Sequence, residues 1–269
     1  MRALMILAHP DDEVMCFQTL SILSKHIKHL DIVTAVHGVN AKVFDIAPLE
    51  IWTSERVSKQ RVAEIRTNEQ FKSIRSLGFS SFTQYFLKLI DKGWRKNGIL
   101  GQEVEVETSL MKYLQNRHYD LIIAPYTVKK RLSPSKWVHP DHYCLSNIFD
   151  NKLSDLTKNI AVLRYIFYNE ITPINEITIP DDYSVRIQKY KGNAYLRQKK
   201  HIQHCYPSQE STLFKIIGKS HNSVIDQYWK KMQTELYYAL GVGTNVTSKD
   251  EYFEITLANS QFNKLLANK

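Results

Sequence analysis

Ala3-Leu4-Met5-Ile6-Leu7-Ala8-His9-Pro10-Asp11-Asp12-Glu13 is the stretch that decides the fold class of this chain. Its first six residues are apolar with no polar alternation, the pattern of a strand buried on both faces of a parallel sheet. Three consecutive acids then follow a histidine, where that strand must end and a helix begin. Helix capping explains part of this: Asp is a good N-cap, acids in the first turn complement the helix dipole, and Pro10 suits a helix start. Capping accounts for one or two of the acids. It does not account for a histidine beside them at a sheet edge.

Outward from this stretch, helical and strand patterns alternate. Val14 to Ile27 has apolar residues at helical spacing, and Asp31 to Val36 is a β-branched strand ending at His37-Gly38. A long helix rich in Arg, Lys and Glu is predicted over Val57 to Leu77, with Gly78 as its stop. Ser81 to Leu89 is aromatic and strand-like, Asp91-Lys92-Gly93 a turn, Val104 to Asn116 a helix, and Tyr119 to Pro125 another buried strand. Short connections between such elements indicate βαβ units on a parallel sheet. Further on, a strand over Val162 to Tyr168 leads to a segment with Pro173 and Pro180, then a basic helix over Asp182 to His204 and a final strand at Tyr252 to Leu257. The fold expected is a Rossmann-like three-layer α/β sandwich with a mostly parallel sheet. It is read as one domain, with a core over about residues 1–210 and a C-terminal extension over about 211–269.

Composition narrows the function classes. The 269 residues are 43% hydrophobic and 23% charged, enough apolar content for a sizeable core. No stretch approaches the roughly 18 uninterrupted apolar residues of a membrane span. Met1 to Ala8 runs straight into the first motif, so no signal peptide is expected and the expected location is the cytoplasm. Cys16, Cys144 and Cys205 are odd in number and lack CxxC spacing, which argues against a disulfide framework or a thiolate zinc site. The formal charge of +9, with basic runs at Lys129-Lys130-Arg131 and Arg197 to His201, fits either a solvated surface or attraction to an anionic partner.

A second cluster, Trp137-Val138-His139-Pro140-Asp141-His142, follows the strand ending near Pro125. Two histidines flanking an aspartate suit a divalent metal: imidazole binds zinc, and a nearby carboxylate fixes the tautomer of a ring. Incidental histidines in a surface loop would explain this cluster alone. They do not explain why both clusters fall just past the C-terminal ends of predicted parallel strands, where α/β proteins build their sites.

AHPDDE after the first strand together with a distal HPDH resembles the PIG-L/LmbE family of zinc-dependent N-deacetylases. Arg66-Thr67-Asn68-Glu69 with Leu77-Gly78 resembles that family's RxxE…LG helix, and Tyr206-Pro207-Ser208-Gln209 its Y-x-S-Q segment. The resemblance spans roughly residues 3–210. It implies a single zinc ion held by His9, Asp12 and His142. It makes Asp11 the general base, His139 the group steadying the oxyanion, and Asp141 the residue orienting His139. Three N/O ligands leave a fourth position for water, as catalytic zinc requires. Asp11 would take the proton of the attacking water and return it to the leaving amine, with no covalent acyl-enzyme.

The implied substrate is an N-acetylated amino sugar, phosphorylated or lipid-linked conjugates included, with Arg66 and Asp91 as candidate substrate contacts. For Arg66 a helix ion pair with Glu69 is the alternative, and for Asp91 a plain turn. The chain departs from the family at Cys16-Phe17-Gln18, where small residues are usual, and at His37-Gly38-Val39-Asn40, where Thr-x-Gly is common. Rival functions are hydrolysis of another amide or ester on the same fold, and a non-catalytic anion or nucleic-acid binder. No helix-turn-helix, RNP or zinc-finger signature supports nucleic-acid binding.

Overall fold

The computed structural model describes residues 1–39, 58–87, 89–90, 98–127, 139–166, 182–190, 194–210, 213 and 252–268. Strand β1 (Arg2–Leu7) lies inside the sheet, and its two faces explain the unbroken apolar run. Ala3, Met5 and Leu7 belong to one apolar core, Leu4, Ile6 and Ala8 to the other, and all six are buried. A strand covered on one side only could not use both sets.

β2 (His29–Thr34), β3 (Phe82–Phe86), β4 (Leu121–Tyr126) and β5 (Ala161–Ile166) join β1 in parallel. β6 (Tyr183–Tyr190) and β7 (Tyr252–Asn259) complete a seven-stranded sheet of order β3-β2-β1-β4-β5-β7-β6. β7 is antiparallel to both β5 and β6, so among the described strands it alone runs against the rest. The last strand in sequence thus lies between two earlier ones. Register is direct: Leu4 faces Asp31 on β2 and Ile122 on β4. The chain moves outward from β1 through β2 to β3, then returns to the other side of β1 for β4. That reversal opens a crevice past the C-terminal ends of β1 and β4, the topological switch point of a doubly wound sheet.

Helices α1 (Phe17–Leu23) and α2 (Lys59–Ser76) contribute Phe17, Leu20, Leu23 and Ile74 to the first core, with Phe262 of α6 (Ser260–Ala267). α3 (Glu103–Asn116) and α4 (Pro140–Lys152) contribute Val106, Leu110, Cys144, Leu145, Ile148 and Phe149 to the second. Helices therefore cover both faces, and the three-layer α/β sandwich is the observed fold. α5 (Ala194–Cys205) packs on α2, with Lys72 Nζ donating to the His204 carbonyl at 2.6 Å. No described helix is long and apolar enough to cross a membrane.

Three elements differ from the sequence reading. The first helix is shorter than Val14 to Ile27: Asp12–Cys16 is a 3₁₀ turn, and α1 begins only at Phe17. The Asp12 carboxylate accepts backbone N–H groups of Ala8 and His9, which binds this turn tightly to the strand end. Asp182 to His204 is not one helix but β6 followed by α5. Tyr183-Ser184-Val185-Arg186-Ile187 alternates apolar and polar residues at the strand period, and Lys191-Gly192-Asn193 is a breaker. Helix α6, capped by Asn259 through a bond from Phe262 N–H at 3.0 Å, was not expected. The segment with Pro173 and Pro180 and the Lys129-Lys130-Arg131 run lie outside the described residues.

Candidate metal centre

The two acid–histidine motifs meet across the crevice. Asp12 is buried in the turn after β1, and His142 is buried in the first turn of α4, after β4. His142 Nε2 is 3.2 Å from both carboxylate oxygens of Asp12, though 130 positions separate the two residues. His9 Nδ1 is 3.6 Å from Asp12 Oδ1. Two ring nitrogens and one carboxylate oxygen lie within 4.8 Å of one another, so His9, Asp12 and His142 could hold a metal ion. In a tetrahedral site with ligand bonds of 2.0–2.2 Å, donor atoms lie about 3.4 Å apart. The 3.2 and 3.6 Å separations from Asp12 Oδ1 bracket that value, and the His₂Asp donor set suits zinc. His9, His139 and Asp141 form a second group of this kind, sharing the His9 ring.

Electrostatics at this point are those of buried opposite charges. Burial would raise the Asp12 carboxyl, but His142 and His9 outweigh it and hold it well below the carboxylate range. Burial likewise opposes protonation of His9, yet the bonds and charges of Asp12 and Asp141 lift it to about 9. His139 is pushed the other way, to about 3, by burial and by the positive rings of His9 and His142. The two buried carboxylates therefore favour positive charge beside them, and a metal ion can take the place of the ring protons they now hold.

Asp11 and Asp12 have separate partners. Asp11 stands at the N-cap position but makes no capping bond through its side chain, so capping does not explain it. Its Oδ1 instead pairs with Arg66 Nη2 at 2.7 Å, and both side chains are largely buried. Arg66 Nη1 donates to the Gly38 carbonyl at 3.0 Å. Gly38 has φ +65, and a Cβ there would lie 1.8 Å from Arg66 Nη1. The unusual His37-Gly38 turn therefore makes room for the guanidinium. Glu69, the alternative partner of Arg66, accepts from Ser208 N–H and Oγ at 2.8 and 2.6 Å. The RxxE helix and the Y-x-S-Q segment are thus packed on each other.

His139 caps α4, its Nδ1 accepting the Asp141 N–H at 3.3 Å, and its ring centroid is 4.6 Å from that of His9. Asp141 is buried and reaches His9 Nε2 at 2.9 Å. Glu13 points away from the donor group into a buried network with Ser73 Oγ, at 2.6 Å, and Tyr206 OH. Burial raises Glu13 to about 8. Tyr206 OH also donates to the Pro10 carbonyl at 2.8 Å, tying the Y-x-S-Q segment to the first motif. His201 lies between Ser73 Oγ (2.8 Å) and Ser76 Oγ (2.9 Å), away from the donor group. Asp91 lies outside the described residues.

A model of the PIG-L family, described as GlcNAc-PI de-N-acetylase, matches residues 4–152, more than half of the chain and both motifs. The chain belongs to the PIG-L family. Among solved structures it is similar to the N,N'-diacetylchitobiose deacetylase of Pyrococcus horikoshii, with 18% identity and a TM-score of 0.50 over 94% of this chain and 83% of that one. It is also similar to GalB, the 4-carboxy-2-hydroxymuconate hydratase of Pseudomonas putida, with 14% identity and a TM-score of 0.51 over 96% of each chain. At such identities these likenesses establish the fold. No curated protein matches the chain.

Two features of this PIG-L family site were missed in the sequence. One is the Gly98–Ile99 backbone, which contacts Asp141. Asn97-Gly98 is a turn dipeptide, but nothing in it names the partner. The other is Arg164 on β5, fully buried against Asp150 (2.5 Å), Ser146 Oγ (3.2 Å) and the Pro125 carbonyl (2.6 Å). It fastens α4, which carries Asp141 and His142, to the end of β4. Arginine inside an apolar strand pattern carries a signal of special burial, though not of its partners.

Proposed function

We propose that this chain is a zinc-dependent N-deacetylase that removes acetate from an N-acetylated amino sugar or a conjugate of one. The observation that carries the reading is the meeting of His9 and Asp12 with His142, with Asp11 beside them on an independent ion pair. His9, Asp12 and His142 would hold the ion. Bound there, zinc supplies a Lewis acid that polarises a carbonyl and makes water acidic near neutral pH.

The chain's own residues supply the proton transfers. Asp11 takes the proton of the attacking water and delivers it to the amine nitrogen, which cannot leave as an anion. Arg66 orients Asp11 through the 2.7 Å contact and presents its charge toward a sugar hydroxyl or phosphate. His139 faces the carbonyl oxygen. With Nδ1 accepting from Asp141 N–H, its proton sits on Nε2. Burial favours the neutral ring, so it donates as imidazole. Asp91 as a sugar contact rests on its sequence position alone. The acetamide substrate draws on the family membership, and the +9 charge favours anionic conjugates such as sugar phosphates.

The test is metal content and turnover in variants. Wild type should bind about one zinc per chain and His142→Ala should lose it. Asp11→Asn should keep the metal and lose most of its acetate release. A fully active His142→Ala would refute the proposal.

A further inference from the structure

Asp141 stands between two histidines and contacts them unequally. Its Oδ2 lies 2.9 Å from His9 Nε2 but 3.9 Å from His139 Nδ1. Its other oxygen, Oδ1, accepts the Ile99 N–H at 2.7 Å. Gly98 closes over that oxygen: with φ +54, a Cβ would lie 1.6 Å from Oδ1 and 2.6 Å from Cγ. The carboxylate is 1% exposed. It is fixed by backbone on one side and meets an imidazole nitrogen on the other.

The His9 ring is the shared member of both groups of convergent donors. Its Nδ1 faces Asp12, and its Nε2 faces Asp141. A neutral imidazole carries one proton, and a carboxylate at one nitrogen keeps the proton there, leaving the other lone pair for a metal. We propose that Asp141, seated on the Gly98–Ile99 backbone, is a positioning residue for the metal ligand His9, not only for His139. The inference rests on the metal-site reading above. It brings the segment that enters α3, outside both motifs, into the control of metal affinity. Leaving no room for a Cβ at Gly98 is part of the device, because any side chain there displaces the carboxylate from His9.

Zinc affinity, measured by competition with a chelating indicator, tests this without reference to turnover. The proteins are wild type, Asp141→Asn, Gly98→Ala and His142→Ala, each checked for native circular dichroism. Asp141→Asn should weaken zinc binding by about 10- to 100-fold, as loss of such a partner does. Gly98→Ala, which leaves every side chain of the site chemically intact, should weaken it in the same direction. If Asp141 serves His139 alone, both variants lose acetate release but bind zinc as wild type does, and the inference is overturned. Should Asp141→Asn fail to fold, Gly98→Ala decides. If His142→Ala also binds zinc as wild type does, the metal-site reading itself fails, an outcome distinct from failure of the Asp141 inference.

Discussion

Asp11 and Asp12 are adjacent in sequence, yet one carboxylate faces His142 and the other faces Arg66. Their separation is what makes their roles separable by mutation. Asp11→Asn is expected to retain zinc while kcat falls by about 10²- to 10⁴-fold, the usual worth of a general base. Gly38→Ala tests how Asp11 is held. Its Cβ would displace the guanidinium of Arg66, and φ +65 disfavours any side chain. Stability should fall by about 1–2 kcal/mol in denaturant unfolding, with kcat reduced and zinc retained. The donors of the site were legible because histidines and acids clustered at strand ends are chemically conspicuous. Gly98 was not, because its role is the absence of a side chain opposite a residue 43 positions away. Nor could sequence tell that Arg66 pairs with Asp11 rather than Glu69, since that choice depends on how α2 lies against the β1 turn.

At the scale of elements, buried polar residues join helices to the sheet. Arg164 bonds Asp150 and Ser146 on α4 and the Pro125 carbonyl on β4, and its guanidinium lies 4.4 Å from the Phe149 ring centroid. Arg164→Leu leaves Asp150 without its cation and should cost about 3 kcal/mol or more in urea unfolding. His201 joins α5 to α2. Burial, and secondarily the charge of His204, lowers it from 6.5 to about 4. Between those values the unfolded chain holds a proton that the folded chain lacks. Stability therefore falls as pH drops from 6.5 toward 4, by up to about 3 kcal/mol. His201→Gln should flatten that part of the stability–pH profile, and an unchanged slope would show that the ring is not the group responsible. Elements with unbroken apolar runs, β1 and β4, were legible at once. β6 was concealed by Arg186 and Lys189, whose charge made a strand pattern look continuous with the basic helix after it.

Over the whole molecule, the sheet order puts β1 and β4 side by side although two strands, β2 and β3, lie between them in sequence, and this juxtaposition creates the site. The parallel core was legible from alternating strands and helices. The position of β7 was not: a pattern of hydrophobicity reports a strand but not its neighbours, and β7 pairs with β5 and β6 across long intervals of chain. A chain ending at residue 210 would leave both of those strands without their shared partner. It is expected to lose the cooperative unfolding transition seen by circular dichroism, and a stable truncated form would show that β7 is dispensable. The central claim concerns chemistry at the crevice, and acetate release from a panel of N-acetylated sugars, with and without a chelator, tests it most directly. Release by the zinc-loaded protein that disappears on chelation and returns with added zinc is the expected result; full release by metal-free wild type would contradict it.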